Sequence, residues 1–486
     1  MLRRSWRNFD YLLLGTLLVL SAYGVIMIYS ATINTLGVDN PVQRQIIYIG
    51  LGLVLLLVTA SLDYRLLEVV QHPFTALTPF VLGLGSVGLI LTWRAQQLGF
   101  TAEPSSAAHF VVDLPIMLLG IAMVAAVFVL DRLWIRQLDL VLARIAAVVV
   151  VVGLAAVGGF YLIRRPELTP YLLTGGLAVL YLLDCLTLRI FDILRNPVYV
   201  TMLAMLGVIL VAGQVAGGSQ RWLGAGKIQP SELAKIMTIV VLAKFLADRE
   251  EELEKITTVL ISLVIVALPM LLIYLQPDLG TSLTLIAVWI AMIWMAGIRF
   301  RHLFLFVAAS VAALPLVWLN LEDYMRDRIL LFVNPTGDPD SYFNVYQSLV
   351  SIGSGGWTGK GLTHGTQSQL HFLRVRHTDF IFAVTAEELG LFGAVAMICL
   401  IFVVLWRMIR VAEQAQDTYG RLLASGVAAI VLFQSIVNIG MNLGVMPVTG
   451  IPLPFVSYGG SSFLTLMLGI GIVESVAMRR RKLEFD

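Results

Sequence analysis

About fourteen apolar stretches, each long enough to cross a bilayer, follow one another between residues 11 and 478. A helix spans hydrocarbon with about 20 apolar residues, because every backbone N–H and C=O must be satisfied within the segment. The stretches fall near 11–31, 44–62, 74–93, 114–131, 141–163, 168–185, 198–214, 232–247, 257–275, 279–297, 301–319, 380–406, 422–443 and 458–478. The chain therefore reads as an all-α polytopic membrane protein. Its charged fraction of 13% agrees, since a soluble domain carries about 25%. The net charge of +2 is uninformative, because the signs are segregated along the chain, and no nucleic acid is expected as a partner. Cys185 and Cys399 lie inside apolar runs with no metal-like spacing, as inert core thiols do. Arg3, Arg4 and Arg7 precede the first run, which has no small-residue cleavage site, so it reads as a retained signal anchor.

Basic residues mark the cytoplasmic loops. With the N-terminus inside, Arg65, Arg132, Arg136, Arg189, Lys244, Arg249, Arg299, Arg407, Arg421 and the closing run at 479–482 all fall on one side. Both termini are then cytoplasmic, and the long polar interval at 320–380 faces outward. Arg164 and Arg165, on an outer turn, are exceptions. Residues 66–196 hold four apolar runs and no accumulation of chemistry; His72 and His109 are isolated there. An even number of helices leaves everything downstream uninverted, so the expected organisation is 1–65, an inserted block at 66–196, and 197–486.

Several outer segments carry polar groups. QRWLGAGKIQPSELAK, ending at Lys235, places Arg221 and Trp222 at an interface. Pro230 suits a first helical turn, and Glu232 and Lys235 are spaced to pair on one helix face. Charges within a span default to function, though a structural ion pair reads equally well. The Gln276-Pro277-Asp278 turn offers Asp278 as a helix cap or a site residue. His377-Thr378-Asp379 enters a helix carrying Glu387 and Glu388, and eight residues at 1.5 Å place Glu387 about 12 Å below Asp379. The last outer loop, PVTGIPLPFVSYGGSS, is fixed by Pro and Gly and must be buried in protein or line a cavity.

The 320–380 interval is too long for a connector and too rich in aromatics for disorder. Arg326 to Phe332 suits a short helix on the membrane surface. NPTGDP is a turn, and Tyr342 to Ile352 forms a second interfacial piece stopped by GSGG. Lys360, His364, Gln367, His371, Arg374 and Arg376 follow. A carboxylate base beside an anion site, a divalent-ion site, or a solvated loop would each use these groups, and spacing alone leaves all three open.

In order, QRWLGAGKIQPSELAK, QPDLGTSL, NPTGDPDSYFNVYQSLVSIGSGGWTGKGLTHGTQSQLHFL, HTDFIFAVTAEELGLFG and GIPLPFVSYGGSSF resemble the SEDS (shape, elongation, division and sporulation) family of bacterial peptidoglycan glycosyltransferases. The GSGG…GKG…GTQSQL form is more similar to its rod-elongation branch, RodA, than to its division branch, FtsW. The resemblance implies polymerisation of lipid II into β-1,4 glycan on the outer face of the bacterial cytoplasmic membrane, with release of undecaprenyl diphosphate. It implies a divalent cation (Mg²⁺ or Mn²⁺) and a class B penicillin-binding protein as partner, within membrane lipids. Asp338 matches the family's essential aspartate, as base or metal ligand. Arg221, Lys227 and Lys360 would meet the diphosphate. Trp222, Glu232, Lys235, Gln276, Asp278, Gln347, Gln367, His377, Asp379, Glu387, Ser457 and Ser461 complete the expected substrate-binding set. His364 and His371 read as loop or substrate contacts.

Two departures stand out. The family has ten helices, so 66–196 is extra. It also reads FLPE where this chain has Phe372-Leu373-Arg374-Val375, so no role of that glutamate transfers. A lipid II flippase and a non-catalytic activator of a penicillin-binding protein are the alternative readings. Deep, broken helices would favour the first, and polar groups gathered outside disfavour it.

Overall fold

A computed structural model describes residues 6–33, 40–71, 196–212, 214–216, 219–222, 229–320, 323–333, 339–370, 372–373 and 375–479. The chain divides into two compact units, residues 69–214 and residues 1–68 with 215–486. In the first, the described helix is α4 (Pro197–Ala212). Asn196 starts it: its Oδ1 accepts from the Val198 and Tyr199 N–H groups, and its Nδ2 donates to Gln71 Oε1. Pro197 fits the first turn because its missing N–H is one that a helix start cannot use.

The second unit begins with α1 (Tyr11–Thr32), α2 (Pro41–Ser61) and the short α3 (Arg65–Val70), which runs to the boundary. After a two-stranded hairpin, β1 (Gln214–Ala216) and β2 (Ser219–Trp222), come α5 (Pro230–Ala247), α6 (Ile256–Tyr274), α7 (Leu279–Met295) and α8 (Phe300–Asn320). The outer interval holds α9 (Asp323–Val333), α10 (Pro339–Ser354) and α11 (Thr366–Gln369). The chain closes with α12 (Ile381–Glu413), α13 (Thr418–Asn442) and α14 (Gly460–Met478). Ten expected spans fall on described helices; those near 74–93, 114–131, 141–163 and 168–185 lie outside the described residues. Among the described residues, six helices are long and apolar enough to cross a membrane, and α5 is excluded by its three charges. The chain is a multi-pass membrane protein, and its described residues are helical apart from the hairpin.

Helices α13 and α14 are the most enclosed spans. Without a hydrophobic drive between helices in lipid, small residues bring backbones together. Thus α2 lies along α14 with Gly52 against Phe463 and Met467, Gly460 against Tyr48, and Gly471 against Thr59 and the Leu56 carbonyl. On the face opposite the large interval, Arg407 pairs with Asp10 at 2.6 Å, and the Asp10 N–H donates to Glu474. Asp10 Oδ1 also caps α1, accepting from Leu13 N–H. On the same face Tyr64 donates to Asp417, which caps α13 through the Gly420 N–H, and Arg479 meets Asp63.

The sequence reads α12 as one span from 380 to 406. It runs instead to Glu413 and breaks at Gly390, whose φ of 65° and ψ of −163° interrupt the helix. AEELGLFG gives no Pro to announce the break; glycine alone tolerates that backbone.

Candidate functional site

The outer end of α12 is where distant segments meet. Its first turn leaves backbone N–H groups without helical partners. Asn442, at the end of α13, supplies one acceptor: its Oδ1 takes the Ala383 N–H at 3.2 Å. Its Nδ2 donates to the Asp379 carbonyl at 2.9 Å, and Asn438 Nδ2 donates to the same carbonyl at 3.0 Å and to Ile451 O at 2.8 Å. Both asparagines are fully buried. One helical turn apart on α13, they tie the HTDF stretch to the 450s loop.

The 450s loop grips the same stretch from the other side. Ser457 Oγ donates to Thr378 O at 2.6 Å and accepts from Leu453 N–H, and Tyr458 N–H donates to His377 O. The His377 and Tyr458 rings lie 5.7 Å apart. Burial, and then the adjacent Arg376 guanidinium, hold the His377 imidazole below its ordinary pKa, so it is neutral at physiological pH. The carboxylate of Asp379 lies beside Gly450.

A second chain of contacts reaches this floor from α5 and α7. Ser461 Oγ accepts from Gln229 N–H at 3.0 Å, and Gln229 Nε2 donates to Asp278 Oδ2 at 3.0 Å. Asp278 caps α7 through Thr281, N–H and hydroxyl both. The α7 start is pressed so close to Ile451 and the Thr449 carbonyl that Gly280 has no room for a side chain. Arg328, on the interfacial α9, donates to Val448 O. The turn at 276–278, the 450s loop and the HTDF stretch thus converge.

Other expected site residues are engaged elsewhere. Lys235 Nζ lies 2.9 Å from both Glu232 oxygens and donates a hydrogen bond to Oε1, and both residues are buried, so they form a buried ion pair. Gln276 is buried beside the turn, and Gln347 is half-buried on α10 with its carbonyl bonded to Ser351. Lys360 was expected to meet a diphosphate; its Nζ instead donates to Glu387 Oε1 at 3.0 Å and Thr366 Oγ1 at 2.7 Å. Glu387 was expected to contact substrate; its carboxylate is filled by Lys360, Thr366 Oγ1 and the Gln367 and Ser368 N–H groups. The ring of His364 contacts Leu362 O. Asp338, Lys227 and His371 lie outside the described residues; Arg221 and Trp222 are described only as backbone of β2.

Gln229, Asn438 and Asn442 were not anticipated. An Asn pair four residues apart inside an apolar span was the available signal, because such residues in lipid-facing sequence need buried partners. No three His, Cys, Asp or Glu side chains among the described residues gather as a metal site. The floor can hold polar groups of a ligand at the outer interface through backbone and amide dipoles.

A cell cycle protein family model, FtsW/RodA/SpoVE, matches residues 140–482. The peptidoglycan glycosyltransferase MrdB of Escherichia coli K12 is 39% identical over 312 residues, covering 63% of this chain and 84% of that protein. Stage V sporulation protein E of Bacillus subtilis is 40% identical over 285 residues, 57% of this chain and 77% of its own. A chain of a peptidoglycan synthase complex that coordinates polymerization and crosslinking superposes with a TM-score of 0.52 at 32% identity, over 71% of this chain and 99% of that one. The Thermus thermophilus rod shape determining protein RodA shares the fold, with a TM-score of 0.50 at 23% identity over 98% of both chains. With a family model spanning more than half its length and relatives near 40% identity, this chain belongs to the FtsW/RodA/SpoVE family.

Proposed function

We infer that this protein is a peptidoglycan glycosyltransferase, polymerising lipid II on the outer face of the bacterial cytoplasmic membrane during elongation, with both termini inside. The observation that carries the reading is the 39% identity to the peptidoglycan glycosyltransferase MrdB over 312 residues, beside a family match at residues 140–482 that takes in every segment of the outer floor. The basic loops on the opposite side support the orientation.

In the reaction, the acceptor 4-hydroxyl attacks the donor anomeric carbon. The new glycosidic C–O bond forms as the bond to the diphosphate breaks, and undecaprenyl diphosphate leaves. Asp338 takes the hydroxyl proton in this reading. It directly precedes Pro339, the first residue of α10. Inversion with one carboxylate base parallels the inverting glycosidases. The floor of Asn438, Asn442, Ser457 and Asp379 fixes the backbone on which the sugars would lie. A divalent cation at Asp338 would neutralise charge on the departing diphosphate. Arg221 and Lys227 are proposed to face that diphosphate, and Gln347 and Gln367 the sugar or peptide. The partner proposed is a class B penicillin-binding protein, in keeping with the synthase complex related to this chain.

The test is polymerisation of labelled lipid II by the purified full chain with its partner and Mg²⁺, read as glycan on a gel. Wild type is expected to give polymer and Asp338→Ala none. Equal polymer from both would overturn the assignment of Asp338. Lipid flipping without polymer from either would favour a transporter.

A further inference from the structure

Glu387 and Glu388 are consecutive, both fully buried, and are not used by the reaction just described. Burying two carboxylates in a membrane helix is costly, so their donors reveal what they hold. Those of Glu387 all come from residues 360–368. Glu388 accepts from Ser30 of α1, the Thr363 N–H at 3.3 Å, Ser368 Oγ at 3.4 Å and Gln369 Nε2 at 3.5 Å. The outer strap that follows α10 is thus wrapped around one turn of α12.

The backbone completes the wrap. Where α12 breaks at Gly390, its orphaned groups are paired by the strap. Lys360 N–H and Gly361 N–H donate to the carbonyls of Glu387 and Glu388, at 3.0 and 2.9 Å. Gly356 O and Trp357 O accept from the N–H groups of Leu391 and Phe392, at 2.9 and 3.2 Å. The approach is so close that a Cβ on Gly359, which also has φ of +77°, would collide with Glu388 O. The strap leads directly out of α10, a rod of 16 residues or about 24 Å. Its middle is held by Ser348 donating to Asn442 O at 2.8 Å, and its start adjoins Asp338 in sequence.

We propose that the Glu387–Lys360 pair, with Glu388 beside it, is the positioning anchor of the outer cap, holding the strap and α10, the helix that follows Asp338 in sequence, in the arrangement that glycosyl transfer requires. The proposal rests on the glycosyltransferase reading. Glu387 and Lys360 touch no reacting atom. They act through the strap, so loosening them lowers turnover while leaving substrate affinity in place.

The experiment compares wild type, Glu387→Gln, Lys360→Met, Lys360→Arg and the milder Thr366→Val, each as full chain with its partner in nanodiscs. Hydrogen exchange at the Gln367 and Ser368 amides and polymerisation kinetics on labelled lipid II are measured together. In Lys360→Met and Glu387→Gln, exchange is expected to rise about tenfold and kcat to fall about tenfold, with KM within about twofold. Lys360→Arg is expected to restore both, and Thr366→Val to fall between. If Glu387→Gln does not fold, the three substitutions on the strap carry the comparison. Faster exchange with kcat unchanged would make the clamp merely structural and overturn the proposal. A raised KM at unchanged kcat would make Lys360 a substrate contact and overturn it as well. Polymer absent from wild type would overturn the glycosyltransferase reading and this proposal together; polymer from wild type with any other failure overturns this proposal alone.

Discussion

Replacing Asn442 by Leu keeps the number and branching of the side-chain heavy atoms and removes every polar contact this side chain makes in the outer floor. Its three shortest hydrogen bonds link this side chain to Ala383 N–H, Asp379 O and Asn438 O, and two longer ones reach Ser348 Oγ and Asn438 Oδ1. They are not equal. The Asp379 carbonyl keeps its bond from Asn438, so its loss is near the ~0.6 kcal/mol average for interhelical hydrogen bonds in membranes. Ala383 N–H lies in the first turn of α12, has no helical acceptor and is buried, so leaving it unpaired costs about 1–3 kcal/mol. The sum is about 2–4 kcal/mol. Asn442→Asp keeps an acceptor for Ala383 and loses the donors, at the expense of a buried charge. Unfolding in mild detergent, followed by denaturant titration, measures the loss. A Leu variant within about 0.5 kcal/mol of wild type would refute the claim that the amide caps α12.

Lys235→Met strands Glu232 as a buried unpaired carboxylate and is expected to cost about 3–5 kcal/mol, whereas the Glu232→Gln, Lys235→Met double variant costs less; equal losses in thermal unfolding would argue against the pair. His377 is neutral in the fold because its pKa is lowered. The unfolded chain therefore binds the proton first, at about 6.5, and stability falls as pH drops below that value toward the folded pKa. His377→Gln should flatten that part of the pH–stability curve, and an unchanged curve would contradict it. Chelation of divalent cations should abolish polymerisation and leave the unfolding midpoint in place, because no described residues gather around a metal; a large drop in midpoint would reveal a structural ion.

The spans were legible because hydrophobic length is a direct consequence of bilayer thickness. The Glu232–Lys235 pair and the Asp278 cap were legible for a similar reason: their partners lie three residues away, within reach of local rules. The Lys360–Glu387 pair was not legible because the partner is 27 residues on, at the far side of a glycine turn, and from sequence a lysine in an outer loop looks free. The break at Gly390 was missed because the strap that compensates it comes from residues 356–361, and only their backbone is involved. Asn438 and Asn442 bond to a carbonyl about 60 positions away, a partner that carries no side-chain signature at all.

The central claim is tested most directly by counting products. Purified full chain with its partner, in liposomes holding labelled lipid II, is assayed for undecaprenyl diphosphate released and disaccharide incorporated. One diphosphate per disaccharide from wild type, and neither from an Asp338→Ala protein that unfolds like wild type, is the expected result. Lipid movement across the bilayer without diphosphate release, or undiminished release from the variant, would contradict it.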